Sequence, residues 1–307
     1  MERFAPVLIP TMNRYAHFKR CVDSLSNCTY ADKTELIIGL DFPPSEKYYE
    51  GYNKICDYIQ TIKSFKKVTV LKREYNWGAN KNTINLREYA SRDYDRFIFS
   101  EDDNEFSPNF LDYINQGLEK FKDNNNIFAI CGYNYPIDMF DCKNEYYFSH
   151  EFSAWGYGSW FNKFNNVSHE IHKPQYLKKF FQTEPLQILF INNMRLIPFV
   201  RQIEKGYLGD VYITTFLYAH KTYTIFPRVS LVRNWGQDGS GIHCNKLKID
   251  NYKKQPIDDR LLFPFEGNYL LEINQIANRK FREHYKMSIK TWLKNFFLFF
   301  LVRTHIK

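Results

Sequence analysis

Along the first hundred residues, short unbroken apolar runs alternate with stretches in which apolar residues recur every three or four positions. Pro6–Pro10 (PVLIP), Leu36–Leu40 (LIIGL), Val68–Lys72 (VTVLK) and Arg96–Ser100 (RFIFS) have strand length. Their continuous apolar character is that of strands covered on both faces. Between them, Phe18, Cys21, Val22 and Leu25 share one helical face, and Tyr48–Ile62 and Asn80–Tyr89 read as further helices. The Asn-Trp-Gly of residues 76–78 breaks the third strand from the third helix. Strands alternating with helices predict an α/β fold with a mostly parallel central sheet flanked by helices, whose ligands lie beyond the carboxyl ends of the strands.

The second half is less regular. Asn109–Phe121 reads as an amphipathic helix opened by Ser107-Pro108, and Ile127–Gly132 as a strand. Residues 150–165 read as a loop rich in Gly and Trp, after which helical patterns lead to Gly209-Asp210. Ile225–Val232 reads as extended, and the segment WGQDGSGIHC at 235–244 is too rich in glycine for regular structure. There is no internal repeat. The expected organisation is a main α/β domain over residues 1–245, in two halves at 1–105 and 106–245, followed by a C-terminal helical extension at 246–307.

Composition narrows the function classes. The chain has 307 residues, of which 44% are hydrophobic, enough to form the core of one large α/β unit. A net charge of +8 favours an anionic partner. The six cysteines form no CxxC pair, which excludes a zinc knuckle or a redox motif of that kind and fits reduced thiols. The apolar stretch at the N-terminus is too short for a secretory leader, so the expected location is cytoplasmic, peripheral on the inner face of the cell membrane. Residues 279–307 carry eight Lys or Arg against one Glu, around Trp292, Phe296, Phe297, Phe299 and Phe300. The apolar run Phe296–Val302 falls short of the roughly 20 residues a spanning helix needs. It reads as a basic amphipathic tail lying on an anionic membrane surface, or as a helix packed on the core. Because the basic excess is concentrated there rather than along a whole face, nucleic acid is not expected as a partner.

The strongest local signal is Glu101-Asp102-Asp103, set directly after an apolar strand. Adjacent carboxylates repel, and a bound divalent cation offsets that cost while neutralising a diphosphate leaving group. A solvated acidic turn would account for the same residues. Arg14 suits bidentate phosphate binding.

The opening VLIPTMNR, the Asp41 that ends the second strand, and IFSEDDNEFSPNFLDY together resemble glycosyltransferases of the GT-A fold, notably family 2 and the N-acetylglucosaminyltransferase I group. That resemblance covers roughly residues 5–245. It implies a nucleotide-diphosphate sugar donor, with UDP favoured because Asp41 matches a position that contacts uracil, and Mn2+ or Mg2+ as cofactor. It makes Asp103 the metal ligand and sets Asp102 beside the donor's sugar and ribose. Pro10, Thr11 and Arg14 match the first nucleotide-binding loop, while Asn76, Gly78 and Lys81 fall where related enzymes run another donor-facing loop. The segment 234–244 resembles the loop that closes over the donor, where His243 could be a second metal ligand.

An inverting transferase needs a carboxylate to take the acceptor's hydroxyl proton. The resemblance places that base at the start of an acidic helix, which here is Asp210, although an aspartate there also caps a helix. Trp155, Gly156 and Trp160 in FSAWGYGSWF are the expected acceptor-binding residues, with aromatic core packing as the alternative. The expected function is transfer of a hexosyl or N-acetylhexosaminyl group to a glycan or lipid-linked glycan in bacterial surface-polysaccharide synthesis. The competing readings are a non-catalytic basic protein binding anionic lipid or nucleic acid, and a sugar nucleotidyltransferase. The second would need a glycine-rich loop after the first strand, and PTMNR contains no glycine.

Overall fold

The computed structural model describes residues 4–139, 141–171, 210–241, 250–267, 270–272, 274–284, 288–290, 292–294 and 296–297. The expected helices between 172 and 209, together with Gly209, His243 and the last ten residues, lie outside them.

An eight-stranded sheet forms the centre. Its strands are β1 (Val7–Thr11), β2 (Glu35–Leu40), β3 (Lys67–Lys72), β4 (Arg96–Phe99), β6 (Ile127–Cys131), β7 (Tyr146–Ser149), β8 (Tyr157–Trp160) and β9 (Tyr223–Pro227). Their order is β3-β2-β1-β4-β8-β6-β9-β7. The first four run parallel, as do β6 and β9, whereas β8 and β7 run antiparallel to their neighbours. A separate ribbon pairs β5 (Asn104–Phe106) with β10 (Val232–Asn234). The helices are α1 (Tyr15–Ser26), α2 (Tyr49–Ile59), α3 (Gly78–Ala90), α4 (Phe110–Lys120), α5 (Phe161–Ile171), α6 (Asp210–Ala219) and α7 (Gln275–His284).

Side-chain alternation along the strands supplies two cores. Val7, Ile9, Leu36, Ile38 and Ile98 point to the layer holding Phe18, Cys21, Val22 and Leu25 of α1 and Ile55 of α2. Leu8, Ile37, Phe97 and Phe99 point the other way, against Leu86 of α3, Phe161 and Phe164 of α5 and Leu217 of α6. Each such fully buried side chain contributes about 1.5–3 kcal/mol.

Three expectations need correction. The stretch 150–165 is not one loop: it contains β8 and the start of α5, and Gly158 is a strand residue because Ile114 and Leu118 of α4 lie against it, Ile114 within 2.4 Å of where a Cβ would stand. Nor is residue 245 a packing boundary. Phe263 and Phe265 stack around Tyr113, the Asp112 carboxylate accepts from Phe263 N at 2.7 Å, and Ala277 and Phe281 are buried in the second core. Phe263, Phe265, Ala277 and Phe281 therefore contribute to the same cores as the residues before 245. Ile225–Val232 is likewise two strands, with Arg228–Leu231 crossing from the sheet to the ribbon.

Candidate active site

The chain leaves β1 in opposite directions to reach its neighbours β2 and β4, so β1/β4 is a switch point at which a crevice opens beyond the carboxyl ends of the strands. Thr11 ends β1 and Asp102 follows β4, and Thr11 Oγ1 donates to Asp102 Oδ2 at 2.9 Å across this fork. Arg14, between β1 and α1, pairs through one nitrogen with Asp102 Oδ1 and through the other with Asp103 Oδ2, the latter at 2.9 Å. Burial pulls the Arg14 pKa down, but the two carboxylates outweigh it and the net shift is upward. For Asp102 burial raises the pKa, more than the opposing pull of Arg14. Glu101 is pushed well up by burial and by repulsion from Asp103 and Asp210.

Asp103 is held from two further sides. Its Oδ1 accepts from Asn234 Nδ2 at 2.9 Å and its carbonyl accepts from Trp235 N at 2.9 Å. Gly236 lies so close that an added Cβ would stand 2.3 Å from Asp103 Oδ2. The strand end at Asn234 and the loop after it are thereby docked on the acidic turn. Trp235 adds Nε1–H to Glu105 at 2.7 Å, with the Arg20 guanidinium 4.1 Å above its ring. Further along, His17 Nε2 of α1 lies 2.9 Å from Asp238 Oδ2, and Ser240 Oγ donates to Asp238 Oδ1 at 2.6 Å.

Asp210 opens α6 and is half-buried beside the 153–156 turn, where Ala154 N is 3.4 Å from its Oδ2. Burial raises its pKa to about 6 against the lowering effect of Ala154 N and its own amide. The Asp210 charge raises the pKa of Glu101 and of Cys131, so Asp210 lies within electrostatic reach of the acidic turn. Half-buried Trp155 packs edge-on against Tyr133 and Tyr252, at 4.7 and 5.4 Å between ring centres.

Other expected residues have different tasks. The Asp41 carboxylate is filled by protein donors: Trp77 N and Gly78 N at 2.8 Å each, Phe42 N at 3.0 Å and Asn76 Nδ2 at 3.2 Å. It caps α3 from outside and fixes the 76–78 loop, which leaves no acceptor position for a base. Asn76 also donates to Phe42 O at 2.7 Å. Gly78 adopts φ +77 with open space where a Cβ would stand, and the exposed Lys81 sits 4.4 Å above the Trp77 ring. Pro10 is half-buried in β1. Trp160 is buried at the far end of β8, opposite Arg96, under the Lys163 ammonium at 3.7 Å, so it cannot line an acceptor cleft at the other end of the sheet. Gly156 is also buried: it takes φ +74, and Phe106, Phe110 and Val232 leave no room for a side chain.

Two residues escaped sequence reading. Arg73 follows β3 at this edge of the sheet, stacks 4.2 Å over Trp77 and donates Nε–H to Asn82 Oδ1 at 3.0 Å, while one terminal nitrogen is buried without a hydrogen-bond partner. The Nδ1 of His17 is in the same condition. Neither carries a local motif, and only tertiary placement reveals them.

A divalent ion has a partial fit. Among the described residues no three His, Cys, Asp or Glu side chains assemble a metal site. Asp103 nevertheless offers a carboxylate at a spot already favouring positive charge, since Arg14 occupies it. One or two carboxylates completed by substrate phosphates is the ligand set a magnesium-type ion accepts. A cleft of about 900 Å3 at the opposite end of the sheet is unlike this site: Asp112 on its wall is already bonded to Gln116 and Phe263.

Comparison with known proteins decides the class, because the sequence profile of Glycosyl transferase family 2 matches residues 7–183, more than half the chain. The chain belongs to glycosyl transferase family 2. Its mixed sheet flanked by helices is the GT-A fold. No curated protein matches it in sequence. Among solved structures it is similar to S. aureus TarS, at 15% identity and TM-score 0.31 over 42% of this chain and 21% of that one. Similarity to residues 1–349 of TarS is 15% identity and TM-score 0.38, over 53% of this chain and 49% of that one. Mouse xyloside xylosyltransferase 1 is similar at 9% identity and TM-score 0.41, over 72% and 83%. The chain thus spans about a fifth of the longer TarS chain and about half of the shorter one.

Proposed function

We propose that this glycosyltransferase moves a hexosyl or N-acetylhexosaminyl group, with inversion, from a nucleotide-diphosphate sugar to a hydroxyl of a glycan or lipid-linked glycan. The observation that carries this reading is the pairing of two environments at one end of the sheet: Asp102 and Asp103 bridged by Arg14, and, within electrostatic reach of Glu101, the half-buried Asp210 with its pKa near 6. In the reaction the acceptor oxygen forms a bond to the anomeric carbon and gives its proton to the Asp210 carboxylate. The bond from that carbon to the diphosphate oxygen breaks, and the electron pair leaves with the nucleotide diphosphate. A base titrating near 6 is ionised at neutral pH yet basic enough to accept a proton in the transition state.

Family 2 enzymes commonly use divalent metals. Asp103 would hold Mn2+ or Mg2+ here, and the ion would neutralise charge on the departing diphosphate. Arg14 is placed to exchange a carboxylate for a phosphate oxygen when donor binds, with little movement. UDP is the first nucleotide to test on the sequence resemblance alone, since the Asp41 carboxylate that suggested it is taken up by Phe42, Asn76, Trp77 and Gly78. The role of Asp41 is then to set the loop, with Arg73 and the Trp77 ring supplying the surface toward the base. Trp155 is the proposed acceptor platform. The proposed setting is assembly of bacterial surface polysaccharide, for which the support is sequence resemblance.

The test is a panel of nucleotide sugars with manganese, following thermal stability and release of nucleotide diphosphate. One donor should raise the melting temperature and be slowly hydrolysed, and the transferred sugar should carry the inverted anomeric configuration by NMR. A retained configuration would remove Asp210 as general base.

A further inference from the structure

Beyond α7, residues 289–290, 292–294 and 296–297 are helical. Phe296 packs against the second core and stacks on half-buried Trp292 at 5.3 Å between ring centres, so this side of the helix is docked on the protein. The neighbouring side is not. Ile289, Leu293 and Phe297 are 79%, 43% and 64% exposed. At about 100° per residue, positions i, i+4 and i+8 form a continuous apolar stripe within an arc of about 80°. Lys290 and Lys294, both exposed, each follow a stripe residue by one position and so border the stripe on the side away from Trp292 and Phe296. Arg279 is also exposed on α7. No helix among the described residues is long and apolar enough to cross a membrane.

We infer that this face lies on an anionic lipid bilayer, with Ile289, Leu293 and Phe297 entering the headgroup boundary and Lys290 and Lys294 reaching lipid phosphates. Three observations choose that occupant. Large apolar side chains bordered by lysines suit a surface that is apolar below and anionic above, and the lysine stems cover the transition. The sequence around the stripe strengthens the positive field, with eight Lys or Arg against one Glu over residues 279–307. A second copy of the chain, meeting this one through the same face about a two-fold axis, would bring the lysines of both copies together without an acidic residue among the described positions 288–297. The inference is independent of the proposed reaction.

Co-sedimentation of the full chain with vesicles of phosphatidylcholine containing phosphatidylglycerol, and with vesicles of phosphatidylcholine alone, tests it. The chain should pellet with the first and largely remain in solution with the second, and salt should weaken binding without abolishing it. Replacing Ile289, Leu293 and Phe297 together by Ser should release the protein, while Lys290→Gln with Lys294→Gln should weaken binding on the order of tenfold. Thermal melting and nucleotide-diphosphate release in solution should match the unaltered chain in both variants, which separates this result from any failure of the transferase reading. Equal pelleting of the triple variant overturns the inference. So does a full chain that stays in solution with phosphatidylglycerol vesicles, and so does a dimer in sedimentation velocity that the triple variant dissolves.

Discussion

Lys163 and Arg14 are both cations withdrawn from water, at opposite ends of the same sheet, and their partners differ in kind. Lys163 donates to three backbone carbonyls, those of Phe121, Asn124 and Ile127, at 3.2, 2.7 and 3.0 Å. Neutral acceptors do not compensate the lost hydration, and burial lowers its pKa to about 8. Arg14 faces two carboxylates, which outweigh its burial. The first arrangement closes a turn and has nothing left to offer. The second sets two carboxylates, Asp102 and Asp103, against one guanidinium, with Glu101 beside them pushed toward its neutral form, so negative charge is in excess where a cation or a rearranged arginine could act. A buried charge matched to neutral groups is a fastening, whereas a buried charge set among surplus opposite charge is a poised site.

Variants at the two ends should separate these roles, and the largest effect belongs to Asp103→Ala. Loss of charge stabilisation worth several kcal/mol should lower transfer by about 10³-fold and abolish manganese-dependent donor binding, with the melting curve preserved. Donor titration in the presence and absence of manganese checks it, and unchanged metal-dependent affinity would separate Asp103 from the metal. Asp210→Asn should keep donor affinity and lose about 10²-fold or more in transfer. In the unaltered enzyme the rate should rise with pH and level off above about 6 as Asp210 loses its proton, and the variant should lack that limb. If its pH profile and rate are those of the parent, Asp210 is a helix cap.

Gly236→Ala brings a methyl group to where Asp103 Oδ2 lies, so the carboxylate must move. Donor binding should weaken about tenfold or more through that displacement alone. The converse holds at the other end, where Lys163→Met leaves three carbonyls short of a donor. It should cost about 1–3 kcal/mol in a denaturant melt while kcat/KM stays within error of the parent, because no substrate comes near it. An equal loss of activity and stability in both variants would erase the contrast between the ends.

The sheet was largely legible in the sequence because its parallel strands are covered on both faces and read as unbroken apolar runs. Leu36–Leu40 and Arg96–Ser100 each fall within a residue of the observed strands. β8 was not, since Gly156 and Gly158 read as loop residues, while the reason for Gly158 lies in α4, some forty positions earlier in the chain. At the site, the acidic turn, Thr11 and Arg14 come together because each follows a strand that is adjacent in the sheet. The task of Asp41 was hidden, as a capping bond to a loop more than thirty residues away leaves no local trace. Trp160 shows the opposite failure: one strand alternation and direction decide whether an aromatic meets solvent or core, and a loop reading supplies neither.

The Thr11 to Asp102 hydrogen bond has a consequence for engineering. It ties together two strand ends that the sheet already holds side by side, so the acidic turn is registered by the scaffold rather than by the segments around it. Residues 73–81 are secured separately, through the Asp41 clasp and the Arg73 stack on Trp77. Residues 73–81 can therefore be exchanged for the matching segment of a relative as a cassette, provided the clasp travels with them, and the acidic turn should keep its alignment. A library built on this chain is best divided at that seam.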